Sequence, residues 1–241
     1  MTPSGPPDPP ALWIIAGANG SGKSTAYERV AMAGRSGGPW FINPDALAKR
    51  IADHETLPLD PDANLESVRR IERWLHASVE AHQTVGVETV LSTGKYQQLV
   101  EHAREQGFRI RLIYVFLANA ELNIARVRDR VAKGGHDVPE SSIRARRARS
   151  FTQLSWFFDH ADEVEIFDNS GAEPRRVVSK AGGDISVFGR LIPELLAALA
   201  PVAPGLAELL GVQGPPRRRR RRRRRRRGRG PPAAPIASAS A

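Results

Sequence analysis

The sequence predicts an α/β fold built on a parallel sheet, and three observations carry that expectation. A glycine-rich loop at residues 17–24 lies between an apolar run, Leu12-Trp13-Ile14-Ile15-Ala16, and a segment that can continue as a helix over residues 26–33. Apolar, β-branched runs then alternate with stretches of helical spacing along most of the chain, the pattern of right-handed βαβ units. At 241 residues the chain is long enough for one well-cored domain with tails.

The loop reads Gly17-Ala18-Asn19-Gly20-Ser21-Gly22-Lys23-Ser24, followed by Thr25. This is the G-x-x-x-x-G-K-[ST] pattern in the strand–loop–helix context that a phosphate-binding loop requires. Glycines let consecutive backbone N–H groups turn inward around phosphate oxygens, and the helix N-terminus adds positive potential. Lys23 is expected to reach the β- and γ-phosphates, and Ser24 to place its hydroxyl on Mg²⁺.

Residues 39–43, Pro-Trp-Phe-Ile-Asn, read as a second short strand, with Pro44 opening a helix that follows Asp45. Asp45 then lies at the C-terminal edge of a parallel strand, where ligands bind in such sheets. The other reading of Asp45 is a carboxylate that complements the helix dipole. Residues 63–83 form a long helix whose Leu65, Val68, Ile71, Leu75 and Val79 make a core stripe.

The third strand covers residues 84–92 and contains an acid, Glu88, next to Thr89. A carboxylate within a buried parallel strand is costly unless it meets a cation or a metal, so Glu88 is placed at the strand end that faces the phosphate loop. Residues 96–105 are helical with Gly107 as the stop, and residues 108–117 form a fourth strand apolar enough for the sheet centre.

A helix over 120–132 carries Arg126, Arg128 and Arg130, and another starts at Pro139 and carries Arg146 and Arg149. Residues 133–139, Lys-Gly-Gly-His-Asp-Val-Pro, read as a glycine hinge that could close as a lid. Arg126 and Arg130 share one helix face, and Arg146 and Arg149 another. Downstream of a phosphate loop these pairs read as a phosphate clamp, against the alternative of a solvated basic face. A fifth strand over 161–167 ends in Asp168-Asn169-Ser170-Gly171, and residues 175–180 are a candidate edge strand.

Composition excludes several classes. There is no cysteine, hence no disulfide framework and no thiolate site. The histidines show no paired metal-ligand spacing. Residues 191–212 are apolar but interrupted by Pro193, Pro201, Pro204, Glu194 and Glu208, so two short amphipathic helices fit better than a membrane span. Residues 1–10 are a Pro-rich leader without the features of a secretion signal, so a cytoplasmic location is expected. Arg217 to Arg227 are consecutive arginines and Arg229 adds one more; without them the net charge of +10 falls to about −2. The expected layout is a disordered leader at 1–10, a folded domain at 11–200 and a disordered Pro/Ala/Arg-rich tail at 201–241. The arginine run could hold nucleic acid without sequence preference or coat an anionic membrane surface; it also reads as repeat drift with no role.

A transporter-type ATPase would add a strand ending in Asp-Glu and a Ser-Gly-Gly-Gln signature, and a GTPase its switch motifs; none is present. What remains is a small P-loop kinase with an acid after its second strand and arginines on a lid. On Ile14 to Thr25, Phe41-Ile42-Asn43-Pro44-Asp45, Val87-Glu88-Thr89-Val90-Leu91-Ser92, the 126–139 stretch and Phe167-Asp168-Asn169-Ser170, the chain resembles the zeta-toxin family of P-loop kinases. These pieces occur in family order over about residues 12–171.

The resemblance implies a kinase-like three-layer sandwich, a P-loop NTPase with a five-stranded parallel core sheet. It also implies transfer of the γ-phosphate of ATP, with Mg²⁺, to a hydroxyl of a nucleotide sugar such as UDP-N-acetylglucosamine. It implies Asp45 as the acid taking the acceptor's proton, with Lys23, Arg126 and Arg130 as catalytic partners. Gly17 to Thr25, Arg146 and Arg149 would bind nucleotide; Asp45, Glu88 and Thr89 the acceptor; Ser24 and Glu88 the metal. A toxin role with an antitoxin partner follows from the same resemblance. Arg147 stands where the family pattern leads one to expect an aromatic residue, and the arginine tail has no counterpart.

Overall fold

The computed structural model describes residues 8–25, 40–42, 47 and 61–206; Asp45 and the arginine run lie outside them. Seven strands form one sheet in the order β2-β3-β1-β4-β5-β6-β7: β1 (Ala11–Ala16), β2 (Trp40–Ile42), β3 (Val85–Thr89), β4 (Arg109–Phe116), β5 (Glu163–Asp168), β6 (Arg175–Ala181) and β7 (Asp184–Val187). The pairs β2–β3, β3–β1, β1–β4 and β4–β5 are parallel. This is the expected five-stranded parallel core.

The sheet continues further than the sequence suggests. The 175–180 stretch is not its edge: β6 pairs antiparallel with β5 on one side and β7 on the other. Gly182 and Gly183 make the tight β6–β7 turn with φ of 58° and 99°, the left-handed pair that a two-residue hairpin needs. The strand beyond them, Asp184-Ile185-Ser186-Val187, is half polar and too short to stand out by pattern.

Alternation along β1 and β4 divides the core. Leu12, Ile14 and Ala16 with Ile110, Leu112, Tyr114 and Phe116 face the larger cluster, while Ile15, Ile113, Val115 and Phe167 with Trp13 form the other. The larger cluster is completed by helices α1 (Pro61–Glu80), α2 (Gln97–Glu105), α4 (Glu140–His160) and α5 (Pro193–Leu199). From α1 it takes Ile71, Leu75 and Val79, the stripe read from the sequence. Ala203 and Leu206 are buried in the same cluster, so packing passes the boundary expected at 200. Helix α3 (Ala120–Ala132) is capped by Asn119, whose side chain accepts from the Leu122 N–H at 2.9 Å. It packs on α4 through a small cluster of Ile124, Val127, Val138 and Ile143.

Two buried polar links join α4 to the sheet. The Tyr114 and Ser150 hydroxyls meet at 3.0 Å, and burial pushes the Tyr114 hydroxyl far above its ordinary pKa against smaller opposing effects of Ser150 and Arg147. Arg147, the departure from the aromatic expected there, donates to the Leu117 carbonyl at 3.0 Å and to Glu194 at 2.9 Å, with its guanidinium over the Phe151 ring. It therefore ties α4 to the end of β4 and to α5 and takes over the packing of an aromatic. Arg147→Ala is expected to lower the unfolding free energy by about 2 kcal/mol in urea titration, since it leaves the Leu117 carbonyl without its partner. Glu194→Ala, which removes a half-exposed partner, should cost less than about 1 kcal/mol.

Candidate phosphate-binding site

The sheet topology brings the phosphate loop to the one edge where it can work. β1 lies between β3 and β4, and the loop leaves its C-terminal end where the neighbouring strands diverge to opposite sides, the crevice that open parallel sheets use for ligands. The Gly17 N–H donates to the Thr89 carbonyl at 3.2 Å and fixes the loop entrance to the end of β3. Ser21 N–H turns back to the Ala18 carbonyl at 3.1 Å, and Lys23 opens a helix.

Glu88 resolves the problem of an acid within a parallel strand. One carboxylate oxygen lies 3.6 Å from Lys23 Nζ, and the other accepts from the Ser24 hydroxyl at 3.0 Å. The cation demanded by its position is thus the lysine of the loop. Lys23 Nζ also reaches the Ala18 carbonyl at 3.4 Å, so the ammonium is folded back over the loop.

A cavity of about 390 Å³ opens at these groups, lined by Gly20, Gly22, Lys23, Ser24 and Thr25 of the loop, by Glu88, and by Arg126 and Arg130. Asn169, Gly171, Ala172 and Pro174 complete the lining. Residues far apart in the chain are drawn to one point; of the described candidates, Gly17, Ala18, Asn19, Ser21, Thr89, Arg146 and Arg149 do not line it. Gly17 and Ala18 support the loop from below, Ala18 being buried. Thr89 does not line the cavity; its carbonyl holds Gly17 and its hydroxyl accepts from the Leu91 N–H at 3.1 Å. Leu91 itself sits in the left-handed region at φ 57° with its side chain buried, a strained turn that a well-packed neighbourhood must hold.

The other two departures concern the arginines. Arg149 is turned away from the phosphate cavity and donates to the Ser92 carbonyl at 3.3 Å, beyond the end of β3. Arg146 is half-buried and is not part of the cavity wall. The α4 pair therefore does not join Arg126 and Arg130 at the cavity, and Arg149 instead reaches the loop after β3.

What the arginines bind sorts them further. Arg128 pairs with Glu140, Arg144 with Glu121 at 2.6 Å and Arg147 with Glu194, so their charges are balanced. Arg126 donates to the carbonyl of Asn169 at 2.7 Å and Arg130 to that of His136 at 2.7 Å. A carbonyl dipole orients a guanidinium without neutralising it. Among the described residues neither has a carboxylate partner, and Arg130 Nε is buried and unbonded.

Two residues shaping the loop were missed by sequence reasoning. Asn123 donates to the Asn19 carbonyl and Asn169 to the Ser21 carbonyl, both at 2.8 Å and both buried. A Cβ on Gly20 would lie 2.5 Å from the Asn123 carbonyl, and one on Gly22 would lie 2.3 Å from Asn169 Nδ2. The loop glycines are needed for these contacts as much as for the ligand. The sequence signal was the Asn169-Ser170 pair after β5, which had been quoted without a role.

A larger cleft of about 920 Å³ opens between α1 and α2. Its acids are already matched, Glu66 by Arg70 and Arg73 and Glu72 by Lys95, and it contains no residue of the phosphate loop. Among the described residues no cluster of three metal-ligating side chains occurs, and no helix is long and apolar enough to cross a membrane.

Comparison with known proteins agrees with this geometry. An AAA-domain family, AAA_33, matches residues 12–152. An uncharacterised protein of Haemophilus influenzae is 30% identical over 147 residues, 56% of this chain and 96% of that protein. A chain of the AvrRxo1-ORF1:AvrRxo1-ORF2 complex crystallised with ATP superposes with a TM-score of 0.59 at 19% identity, over 74% of this chain and 60% of that one. A chain of the PezAT chromosomal toxin–antitoxin system of Streptococcus pneumoniae gives 0.54 at 14% identity, over 85% and 88%. The chain spans about three-fifths of the length of the AvrRxo1 neighbour, and these identities speak for the fold alone. With a strand–loop–helix phosphate site on a mostly parallel sheet and a family match over more than half its length, the chain belongs to the AAA_33 family of AAA domains and has a P-loop kinase-like fold.

Proposed function

We propose that this protein is an ATP-dependent kinase that moves the γ-phosphate to a hydroxyl group. The observation that carries the reading is the set of groups around one cavity: Lys23 and Ser24 bridged by Glu88, together with Arg126 and Arg130, which have no carboxylate partner among the described residues. Phosphoryl transfer asks for positioning and for neutralisation of charge on the transferred group and its leaving oxygen, and little else.

In this reading the N–H groups of the loop hold the phosphates, and Lys23 leaves Glu88 for the β- and γ-oxygens. Arg126 and Arg130 approach the transferred group from the α3 side. Asp45 accepts the proton of the acceptor hydroxyl as its oxygen forms the new bond to the γ-phosphorus; the bond from that phosphorus to the β–γ bridging oxygen breaks, and ADP leaves with the electron pair. Ser24 and Glu88 fit a shared Mg²⁺: their oxygens are 3.0 Å apart, close to the separation of adjacent ligands about 2.1 Å from an octahedral ion. When bound, that ion neutralises charge on the β- and γ-phosphates.

The acceptor we propose is a nucleotide sugar, with UDP-N-acetylglucosamine the first to test, and the biological setting a toxin held by an antitoxin. Support for both comes from the resemblance to zeta toxins. Arg149 at the loop after β3 then belongs to the acceptor side. The arginine run supports a second reading, an ATPase anchored on nucleic acid; turnover stimulated by RNA or DNA and lost on truncation after residue 215 would favour it.

Three outcomes are expected. Incubation with Mg-ATP and UDP-N-acetylglucosamine yields a singly phosphorylated nucleotide sugar by mass spectrometry, absent with Asp45→Asn; ATP hydrolysis unaffected by Asp45→Asn would sink the kinase reading. Arg126→Ala lowers kcat by about 10³-fold with a smaller change in the KM for ATP, in steady-state assays. Glu88→Gln raises the Mg²⁺ concentration for half-maximal rate by at least about tenfold in a metal titration, because a neutral amide oxygen holds the ion less tightly than a carboxylate.

A further inference from the structure

The phosphate loop is held from outside by two side-chain amides, and their placement goes beyond packing. Among the described residues no group accepts from the N–H of Gly20 or Gly22, and both glycines line the cavity. The carbonyls of the residues just before them, Asn19 and Ser21, are each taken by an amide: Asn123 Nδ2 from α3 and Asn169 Nδ2 from the loop after β5. A peptide group is planar, with N–H and C=O on opposite sides. The Asn19–Gly20 and Ser21–Gly22 peptides are therefore each fixed by a bond to the carbonyl that leaves the N–H directed the other way. Only a donor can hold a carbonyl, which sets the orientation of both amides.

Asn169 has a second connection. Its own carbonyl takes the Arg126 guanidinium at 2.7 Å, and its N–H donates to the Phe116 carbonyl at 2.9 Å, anchoring it between β4 and β5. Arg126 Nη1 would lie 3.6 Å from a Cβ placed on Gly22, so loop, amide and arginine touch at one point. Asn123 sits on α3 one turn before Arg126, on the same helix.

We propose that Asn123 and Asn169 are positioning residues that preset the loop's N–H groups for the β- and γ-phosphates, and that Asn169 sets the loop and Arg126 as one unit. The inference rests on the nucleotide reading above. Preset donors lose little free energy to reorganisation when the anion arrives, whereas a loop free to flip its 19–20 and 21–22 peptides would present carbonyl oxygens to phosphate.

The test uses the full chain and calorimetric affinities for ATP, ADP and AMP, the last by competition. Asn169→Leu keeps the branched shape and removes the donor; Asn169→Ala and Asn123→Ala serve if the larger leucine does not fold. The expected result is that ATP and ADP weaken by about tenfold or more while AMP changes by less than about threefold, since the lost hydrogen bond acts on peptides facing the distal phosphates. A fall in Tm with the ATP-to-AMP affinity ratio unchanged would mean plain packing and overturn the proposal. For kcat, the double variant Asn169→Ala with Arg126→Ala should lose less than the product of the two single losses; additive losses would overturn the coupling. A wild-type protein that binds neither ATP nor ADP would remove the nucleotide reading and this proposal with it, whereas normal wild-type binding with equal weakening of all three nucleotides removes the proposal alone.

Discussion

The ion pair between Glu88 and Lys23 is the constraint from which the rest of the site follows. A carboxylate in the penultimate position of a parallel strand is costly without a cation beside it, and a lysine at the start of a helix has no reason of its own to fold back over its loop. Each solves the other's problem at 3.6 Å, and the Ser24 hydroxyl completes the set. The pair is possible only because β3 and β1 are adjacent and parallel, with Glu88 in register with Ile15. Sheet order, loop position and site chemistry are therefore one decision.

Charge balance divides the lid in the same way. Arg128, Arg144 and Arg147 are matched by carboxylates and act within the protein, two of them between α3 and α4 and one between α4 and α5. Arg126 and Arg130, one helical turn apart, meet only carbonyls among the described residues. Spacing alone could not separate these sets, because all five lie in charged, helical sequence. The division depends on where Glu121, Glu140 and Glu194 arrive in three dimensions.

This explains what could be read from the chain and what could not. Local chemistry was legible: the glycine pattern, the helix at 120–132, the core stripe of α1 and the anomalous acid in β3 all carry their meaning within a few residues. Features defined by distant partners were not. Asn123 and Asn169 are unremarkable as polar residues until Asn19 and Ser21 are brought to them from 104 and 148 positions away. Arg149 shares a helix face with Arg146, yet its target, Ser92, belongs to another loop. Arg147 looked like a departure from pattern because an aromatic and a buried, paired arginine fill the same space by different means. Strand β7 was hidden by its shortness, since a four-residue half-polar run carries too little alternation to be seen.

The order of partners along the chain has a kinetic consequence for a nascent polypeptide. The phosphate loop is synthesised first, but Glu88, Asn123 and Asn169 follow it by 64, 104 and 148 residues. At translation rates of about 5–20 residues per second, the loop waits roughly 7–30 s for its last clamp. β1 stays without its two neighbours until Val85–Thr89 and then Arg109–Phe116 have followed, and contacts of such long sequence separation are slow to close once available. The segment that identifies the protein most readily by sequence is thus one of the last parts of the molecule to acquire its shape.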